Sequence, residues 1–273
     1  MKNISILGCG WLGLPLAKSL LEKGHSVKGS TTSLEKITPL SNAGIDAFQI
    51  EITENNINGN ISAFLGNSKI LIIDIPPKLR GNQPENFVKK IENIIPYIGK
   101  SSIEKVLFIS STSVYPDLLL EHKNQNIITE ETNPQPNLEN GKQLLEAEKL
   151  LQTNSNFKTT ILRFGGLIGE NRQPIRSLSG KTNLENLGAP VNLIHQNDCI
   201  GIIEAIIEKD IWNETFNASA PFHPTRKEYY TQKAIELNLP VPKFENSTVN
   251  FGKTISSAKV ESVLEYNFQK PTL

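Results

Sequence analysis

Cysteine is scarce in this chain. Cys9 and Cys199 are the only two in 273 residues, too few for a disulfide framework and wrongly spaced for a zinc site. Both read as buried thiols of a protein held in a reducing compartment, and no metal site is expected. Net charge is missing as well: lysine plus arginine and aspartate plus glutamate stand at 28 each. Nothing therefore draws the whole molecule to nucleic acid or to an anionic membrane, and no basic stripe interleaved with aromatics appears. No apolar run approaches the roughly 20 residues of a membrane span. The sequence begins in a strand-like run, without a basic leader and an apolar signal core. Internal repeats, low-complexity tracts and charge blocks are absent too. These absences predict a soluble cytoplasmic protein, monomer or homodimer, whose partners are small molecules.

What is present is an alternation. Short apolar runs cover residues 4–7, 26–29, 47–52, 70–75, 106–110 and 160–163, several of them continuously apolar as a strand covered on both faces requires. Amphipathic stretches over 12–23, 85–98 and 141–151 lie between them, long enough to be the crossovers that parallel strands need. The pattern predicts an α/β chain with a doubly wound parallel sheet. After Arg163 the rhythm changes to a segment punctuated by glycine and proline. "PVNLIHQNDCIGIIEAIIEKD" then reads as a short strand and a helix capped by Asn197 or Asp198. Thr225 and Glu228 stand at capping-box spacing before another helix, and a last helix is expected over 259–266. The expected organisation is a dinucleotide-binding domain over 1–165, rejoined by 190–217, and a loop-rich segment with a small carboxy-terminal substrate lobe over 166–273.

The first strand runs into "GCGWLG". Gly8, Gly10 and Gly13 form GxGxxG at a strand-to-helix junction. Gly8 permits the tight turn, Gly10 lets a pyrophosphate approach the backbone, and Gly13 lets the helix pack closely. The backbone N–H groups of the first turn, around Trp11 and Leu12, then face the phosphates. This is the mark of a Rossmann-type dinucleotide socket. An NAD site usually places an acid about 20 residues further on, to accept bonds from the ribose hydroxyls. Here Ser30, Thr31, Thr32 and Ser33 occupy that place. Their hydroxyls tolerate a 2′-phosphate, and Lys28 or Lys36 adds positive charge, so NADP is favoured over NAD. Ile75, Pro76 and Pro77, after the fourth strand, are expected to wall the cofactor rigidly without donating N–H bonds.

The fifth strand supplies "VLFISSTSVYPD". With the glycine motif it resembles the extended short-chain dehydrogenase/reductase superfamily, the NAD(P)-dependent epimerases and dehydratases, whose corresponding stretch contains SSxxVYG. "TTILRFGGLIGENRQP", "NLIHQNDCIGII" and "ETFNASAPFHPTRKEYY" resemble later segments of that family in the same order, so the resemblance spans nearly the whole chain. It implies a cofactor contact at Ser110 and a catalytic serine at Ser111. Thr112, Ser113, Gly166, Arg172 and His195 fall on the substrate side. Arg172 and Arg176 are suited to clamping an anionic substrate. His195 also reads as a structural histidine just before a helix cap.

One family feature is missing. The catalytic YxxxK belongs in the helix after the fifth strand, which here reads "LENGKQLLEAEKLL". One alignment puts Asn140 and Leu144 at the two positions; a shifted register keeps Lys142 but puts Leu138 at the tyrosine. Tyr229 and Lys233 do spell YxxxK, but fall in the later helix, as an i, i+4 contact on a helix surface. The chain thus resembles an atypical branch of the superfamily. A substitute base must come from Lys142, Glu139, Tyr115 or water. Two functions remain open: an epimerase/dehydratase-type oxidoreductase acting on a small polar or nucleotide-linked substrate, and a catalytically inactive dinucleotide-binding sensor.

Overall fold

The computed structural model describes residues 1–77, 85–120, 126–246 and 249–272. A seven-stranded sheet is built from β1 (Asn3–Leu7), β2 (Ser26–Thr31), β3 (Asp46–Gln49), β4 (Ile70–Ile73), β5 (Lys105–Ser111), β6 (Lys158–Phe164) and β7 (Thr215–Ala218). Its order is β7-β6-β5-β4-β1-β2-β3. The chain moves outward from β1 to β3, then returns to lay β4 on the other flank of β1, so the direction of winding reverses beside β1. Ile4 pairs in parallel with Val27 on one side and with Ile70 on the other, and Ile72 pairs with Leu107. Every residue of β4 is buried, as is every residue of β1 after Asn3. That is why these strands read as unbroken apolar runs rather than alternating ones.

The helices are α1 (Gly13–Glu22), α2 (Ile37–Asn42), α3 (Ile61–Leu65), α4 (Phe87–Gly99), α5 (Glu139–Gln152), α6 (Ile175–Leu178), α7 (Gln196–Lys209), α8 (Arg226–Glu236) and α9 (Ala258–Val263). In α1, Gly13, Leu16, Ala17 and Leu20 are buried at the spacing of one helical face. The side chain of Asn86 caps α4 by accepting the Lys89 N–H at 3.1 Å. The expected capping box of α8 forms in both directions between Thr225 and Glu228.

The chain divides into two compact units. The first comprises Met1–Ser111, Leu138–Arg163 and Ile203–Phe216, the second Thr112–Asn137, Phe164–Ile202 and Asn217–Leu273. In the first, Glu148 of α5 is fully buried against Arg163 of β6, with Nη2 to Oε2 at 2.6 Å and Nε to Oε1 at 3.0 Å. The Ser110 hydroxyl donates to the same carboxylate at 2.5 Å. One acid thus ties a helix to the ends of two strands. In the second unit, Gly166–Ile168 runs parallel to Leu193–His195. Tyr229 and Tyr230 of α8 pack beside them in a cluster with Ile168, Ile175 and Val191.

Three expected boundaries move. The run over 47–52 is not one strand: after β3 the chain turns at Ile50, and Glu51–Ile52 pairs antiparallel with Ile57–Asn58. Neither Asn197 nor Asp198 caps α7. The helix begins at Gln196, and the Nδ1 of His195 accepts the Asn197 N–H at 3.2 Å. The Asp198 carboxylate instead accepts from the Tyr266 hydroxyl at 2.9 Å and from the backbone N–H groups of Gln269 and Lys270 at 2.6 and 3.1 Å. The last helix is Ala258–Val263 rather than 259–266, because Glu265 takes φ 47°, a left-handed conformation that a right-handed helix cannot contain.

Replacing Glu148 by alanine takes the carboxylate partner from the buried Arg163, which should cost about 3–5 kcal/mol. Urea unfolding should register that loss, and the double variant Glu148→Leu/Arg163→Met should recover most of it. Equal losses in the single and double variants would mean that the ion pair does not organise this part of the sheet.

Candidate functional site

The turn after β1 is shaped by contacts that tolerate only glycine. Gly8 lies at φ 107°, and a Cβ there would stand 2.3 Å from the carbonyl oxygen of Asp74. A Cβ on Gly13 would stand 2.2 Å from the Gly8 carbonyl oxygen. Gly10 differs: a Cβ at that position would meet nothing within 4 Å, so the space above the loop is open. Ser30 holds the loop from β2. Its hydroxyl accepts the Gly8 N–H at 3.0 Å, and its carbonyl accepts the Cys9 N–H at 2.7 Å.

That open space belongs to a cavity of about 350 Å³ at the carboxyl ends of β1, β2 and β4, the side on which parallel α/β sheets bind ligands. Leu7, Gly8, Cys9 and Gly10 form its floor, with Ser30, Thr31 and Thr32 from the end of β2. Ile50, Glu51 and Ile52 contribute another wall, and Asp74, Ile75 and Pro76 follow β4. Lys36, Glu85 and Lys90 complete the lining. The structure thus brings together Gly8, Gly10, Ser30, Thr31, Thr32, Ile75 and Pro76 from the expected cofactor set. Trp11 and Leu12 precede α1, Gly13 opens it and Pro77 follows Pro76, and none of the four lines the cavity. Ser110 does not line it either; its hydroxyl is directed to Glu148.

Of the two expected cations, only Lys36 is at the cavity. Lys28 does not serve it: its Nζ donates to the carbonyls of Ala63 and Gly66 at 2.6 and 2.7 Å, where α3 ends, and lies 5.5 Å from the Phe48 ring centre. The unpaired carbonyls of a helix end draw the ammonium away. Lys36 is the cation of the β2 end that does line the space, joined by Lys90, which is ion-paired with Glu85. Glu51 accepts a bond from the Asn58 side chain at 3.0 Å. The Cys9 thiol is pushed up to about 12, chiefly by burial and then by the charge of Asp74. Lys90 carried a signal that motif reasoning passed over, since it stands in the apolar stripe Phe87, Ile91, Ile94 and Ile98 of α4. Glu51 and Asp74 could have been found as acids where β-structure ends.

The expected catalytic and substrate residues are placed as follows. Ser111 is the last residue of β5, and Thr112–Val114 makes a 3₁₀ turn with Thr112 buried and Ser113 half-buried. Lys142 is exposed on α5, whereas Leu144 faces inward. Tyr115 is buried; its phenol donates to Asn217 Oδ1 at 3.0 Å and its carbonyl accepts from Lys253 at 2.7 Å. Gly166 permits the close pairing of its ribbon, since a Cβ would lie 2.6 Å from Leu193 Cδ2. Arg172 is exposed and its backbone pairs both ways with Gly169. His195 is half-buried at the start of α7. Tyr229 is not on a helix surface: it is 4% exposed and its phenol is pushed up to about 12, first by burial and then by Tyr230 and Glu236. That is the reverse of an activated tyrosine, although Lys233 does lie 6.0 Å from its ring centre.

Among the described residues, no group of three or more His, Cys, Asp or Glu side chains is placed to hold a metal ion. No helix among them is long and apolar enough to cross a membrane.

The raised Cys9 thiol has a pH signature. A group whose folded pKa lies above its unfolded value stabilises fully below the unfolded value, here 9.0, and loses that contribution as pH climbs toward about 12. Chemical denaturation of the parent and of Cys9→Ala between pH 8 and 11 should show the parent losing more stability with rising pH. Parallel curves would show that the thiol is not held in this environment.

No family model matches the chain. Among solved structures, UDP-glucuronic acid 4-epimerase from Bacillus cereus in complex with NAD superposes with a TM-score of 0.80 at 18% identity, covering 99% of this chain and 92% of that one. UDP-N-acetylglucosamine 4-epimerase from Bacillus cereus gives 0.77 at 16% identity, covering 98% and 92%. A short-chain dehydrogenase/reductase superfamily protein from Agrobacterium tumefaciens with bound NAD gives 0.76 at 16%, also covering 98% and 92%. The seven-stranded parallel sheet is therefore that of the Rossmann-type epimerases, at the level of the fold. The protein YeeZ of Escherichia coli K12 is 31% identical over 274 residues, which span 99% of this chain and 97% of that protein. With 31% of the aligned positions shared along almost the full length of both sequences, the chain belongs to the family of YeeZ.

Proposed function

We propose that the chain is an NAD(P)-dependent oxidoreductase of the epimerase/dehydratase type, acting on a small polar substrate of the nucleotide-sugar class. The observation that carries the dinucleotide half is the glycine turn itself. Its outer glycines cannot bear a side chain, while its middle one faces open space. The residues fit the group: Gly10 admits a pyrophosphate to the backbone, and the first turn of α1, past Trp11 and Leu12, offers N–H donors and the positive end of the helix dipole. Ile50, Ile52 and Ile75 give an adenine apolar walls. Bound there, the cofactor supplies hydride donation and acceptance. The epimerase class is supported by the fold shared with structures whose names record NAD and UDP-sugar chemistry.

On the substrate side, Ser111 holds the reacting oxygen through its hydroxyl, with Thr112 and Ser113 following it in the chain. Lys142, Glu139, Tyr115 or bound water moves the proton, the Tyr115 phenol standing in a hydrogen bond to Asn217. Arg172 and His195 face an anionic or polar part of the substrate. NADP is preferred to NAD, a reading supported by Lys36 and the hydroxyls of Thr31 and Thr32 in the cavity lining. Cys9 and Cys199, buried and outside any disulfide, suit a reducing cytoplasm.

A second reading has its own support. The helix α5 contains no tyrosine and turns Leu144 inward, which supports reading the chain as a non-catalytic NADP(H) sensor without the phenol and lysine pair of the resembling enzymes. Hydride transfer with any of a panel of nucleotide sugars, keto acids or aldehydes decides for the enzyme; cofactor binding without turnover on all of them decides for the sensor.

Calorimetric titration should show NADP bound more tightly than NAD, and Gly10→Asp should abolish binding of both, because its carboxylate would meet the pyrophosphate. An unchanged affinity in a folded Gly10→Asp protein would refute the dinucleotide site. On an active substrate, Ser111→Ala should lower turnover about 10-fold or more with cofactor affinity retained, while Tyr229→Phe should change turnover little. The reverse pattern would misplace the catalytic serine.

A further inference from the structure

Lys90 has no packing reason to be where it is. It stands in the buried stripe of α4 among Phe87, Ile91 and Ile94, with its side chain only 8% exposed, and it lines the same cavity as Thr31, Thr32 and Lys36. An isoleucine there would complete the stripe at no desolvation cost, whereas an ammonium taken out of water must be compensated. The compensation is Glu85, whose side chain remains 36% exposed. A buried cation at a cavity wall is thus held by a counter-ion that has easy access to water.

We propose that Lys90 selects the cofactor by exchanging Glu85 for the 2′-phosphate of an adenosine bound in the cavity. The proposal rests on the dinucleotide reading of the cavity and adds the residue that distinguishes the two dinucleotides. A phosphate brings more charge and more acceptor oxygens than a carboxylate, so the ammonium gains by the exchange, and Glu85 is released to solvent at small cost. NAD brings no anion to this place, so Lys90 keeps its pair with Glu85 and contributes nothing. The other acids of the lining are otherwise disposed. Glu51 is bonded to Asn58, and Asp74 stands beside Cys9 and the glycine turn. Glu85 also acts against inorganic anions, because any weak one must displace it first.

The test is calorimetric titration of the full-length protein with NADP, NAD and adenosine 2′,5′-bisphosphate, a probe without nicotinamide. Lys90→Met should weaken NADP and the bisphosphate about 10-fold or more, the worth of one charge-assisted hydrogen bond, and leave NAD nearly unchanged. Lys90→Arg should retain the discrimination. Glu85→Gln removes the competing carboxylate and should tighten NADP and the bisphosphate but not NAD. This second arm stands even if the lysine variant fails a thermal-unfolding check. Equal losses for NAD and NADP in Lys90→Met would overturn the proposal, as would no loss or a Glu85→Gln protein that binds NADP no better. Parent protein that binds NAD while these variants change nothing sinks the proposal and leaves the dinucleotide reading standing. Parent protein that binds none of the three ligands sinks both.

Discussion

Everything at the open end of this sheet depends on how Ser30 grips the glycine turn. Its hydroxyl and its carbonyl each take one N–H, from Gly8 and Cys9, so β2 fixes the path of the chain as it leaves β1. The grip works only because Gly8 and Gly13 have no side chains: the carbonyls of Asp74 and Gly8 occupy the space where Cβ atoms would go. Three consecutive backbones are thereby stacked at contact distance, and the one place left uncrowded is above Gly10. The cavity is what remains when the backbone is packed this tightly around it.

The grip also explains why the hydroxyl row at the end of β2 is not a set of equivalent groups. Ser30 is buried and spends its acceptor on the loop, and Thr31 accepts the Ser33 N–H at 3.2 Å. The chemistry offered to a ligand is therefore not a fringe of four free hydroxyls. It is a constrained edge supplemented by charge from two helices, Lys36 beside α2 and Lys90 within α4.

The parallel sheet was legible in the sequence because burial on both faces leaves a strand only apolar residues to use, and Ile70–Ile73 and Ile4–Leu7 show that plainly. The glycine turn was legible because its spacing encodes steric necessity. Less visible was the direction of long side chains. Lys28 and Lys36 looked alike, yet one is drawn to the carbonyls ending α3 and the other lines the cavity, a difference decided by tertiary neighbours. Asp198 looked like a cap because caps are local, whereas its real donors come from about 70 residues downstream. Helix α9 ran short because a single residue, Glu265, adopts left-handed backbone that no propensity scale foretells. Ser110 and Ser111 are neighbours in one motif, and nothing local in the sequence foretold that the first would donate to the buried Glu148 of another element.

The Asp198 contact has a consequence for how the protein is made. Its carboxylate is fully buried and accepts from Tyr266, Gln269 and Lys270; Gly201, one helical turn on, has no side chain and so leaves room for the Tyr266 ring. On a growing chain α7 can be complete while those donors are still inside the ribosome. During that interval the acid must stay hydrated, and the second unit cannot close around it. Synthesis from the amino terminus would thus let the sheet form first and keep the second unit waiting for the segment around Tyr266 to Lys270, which acts as the stitch that closes it over Asp198.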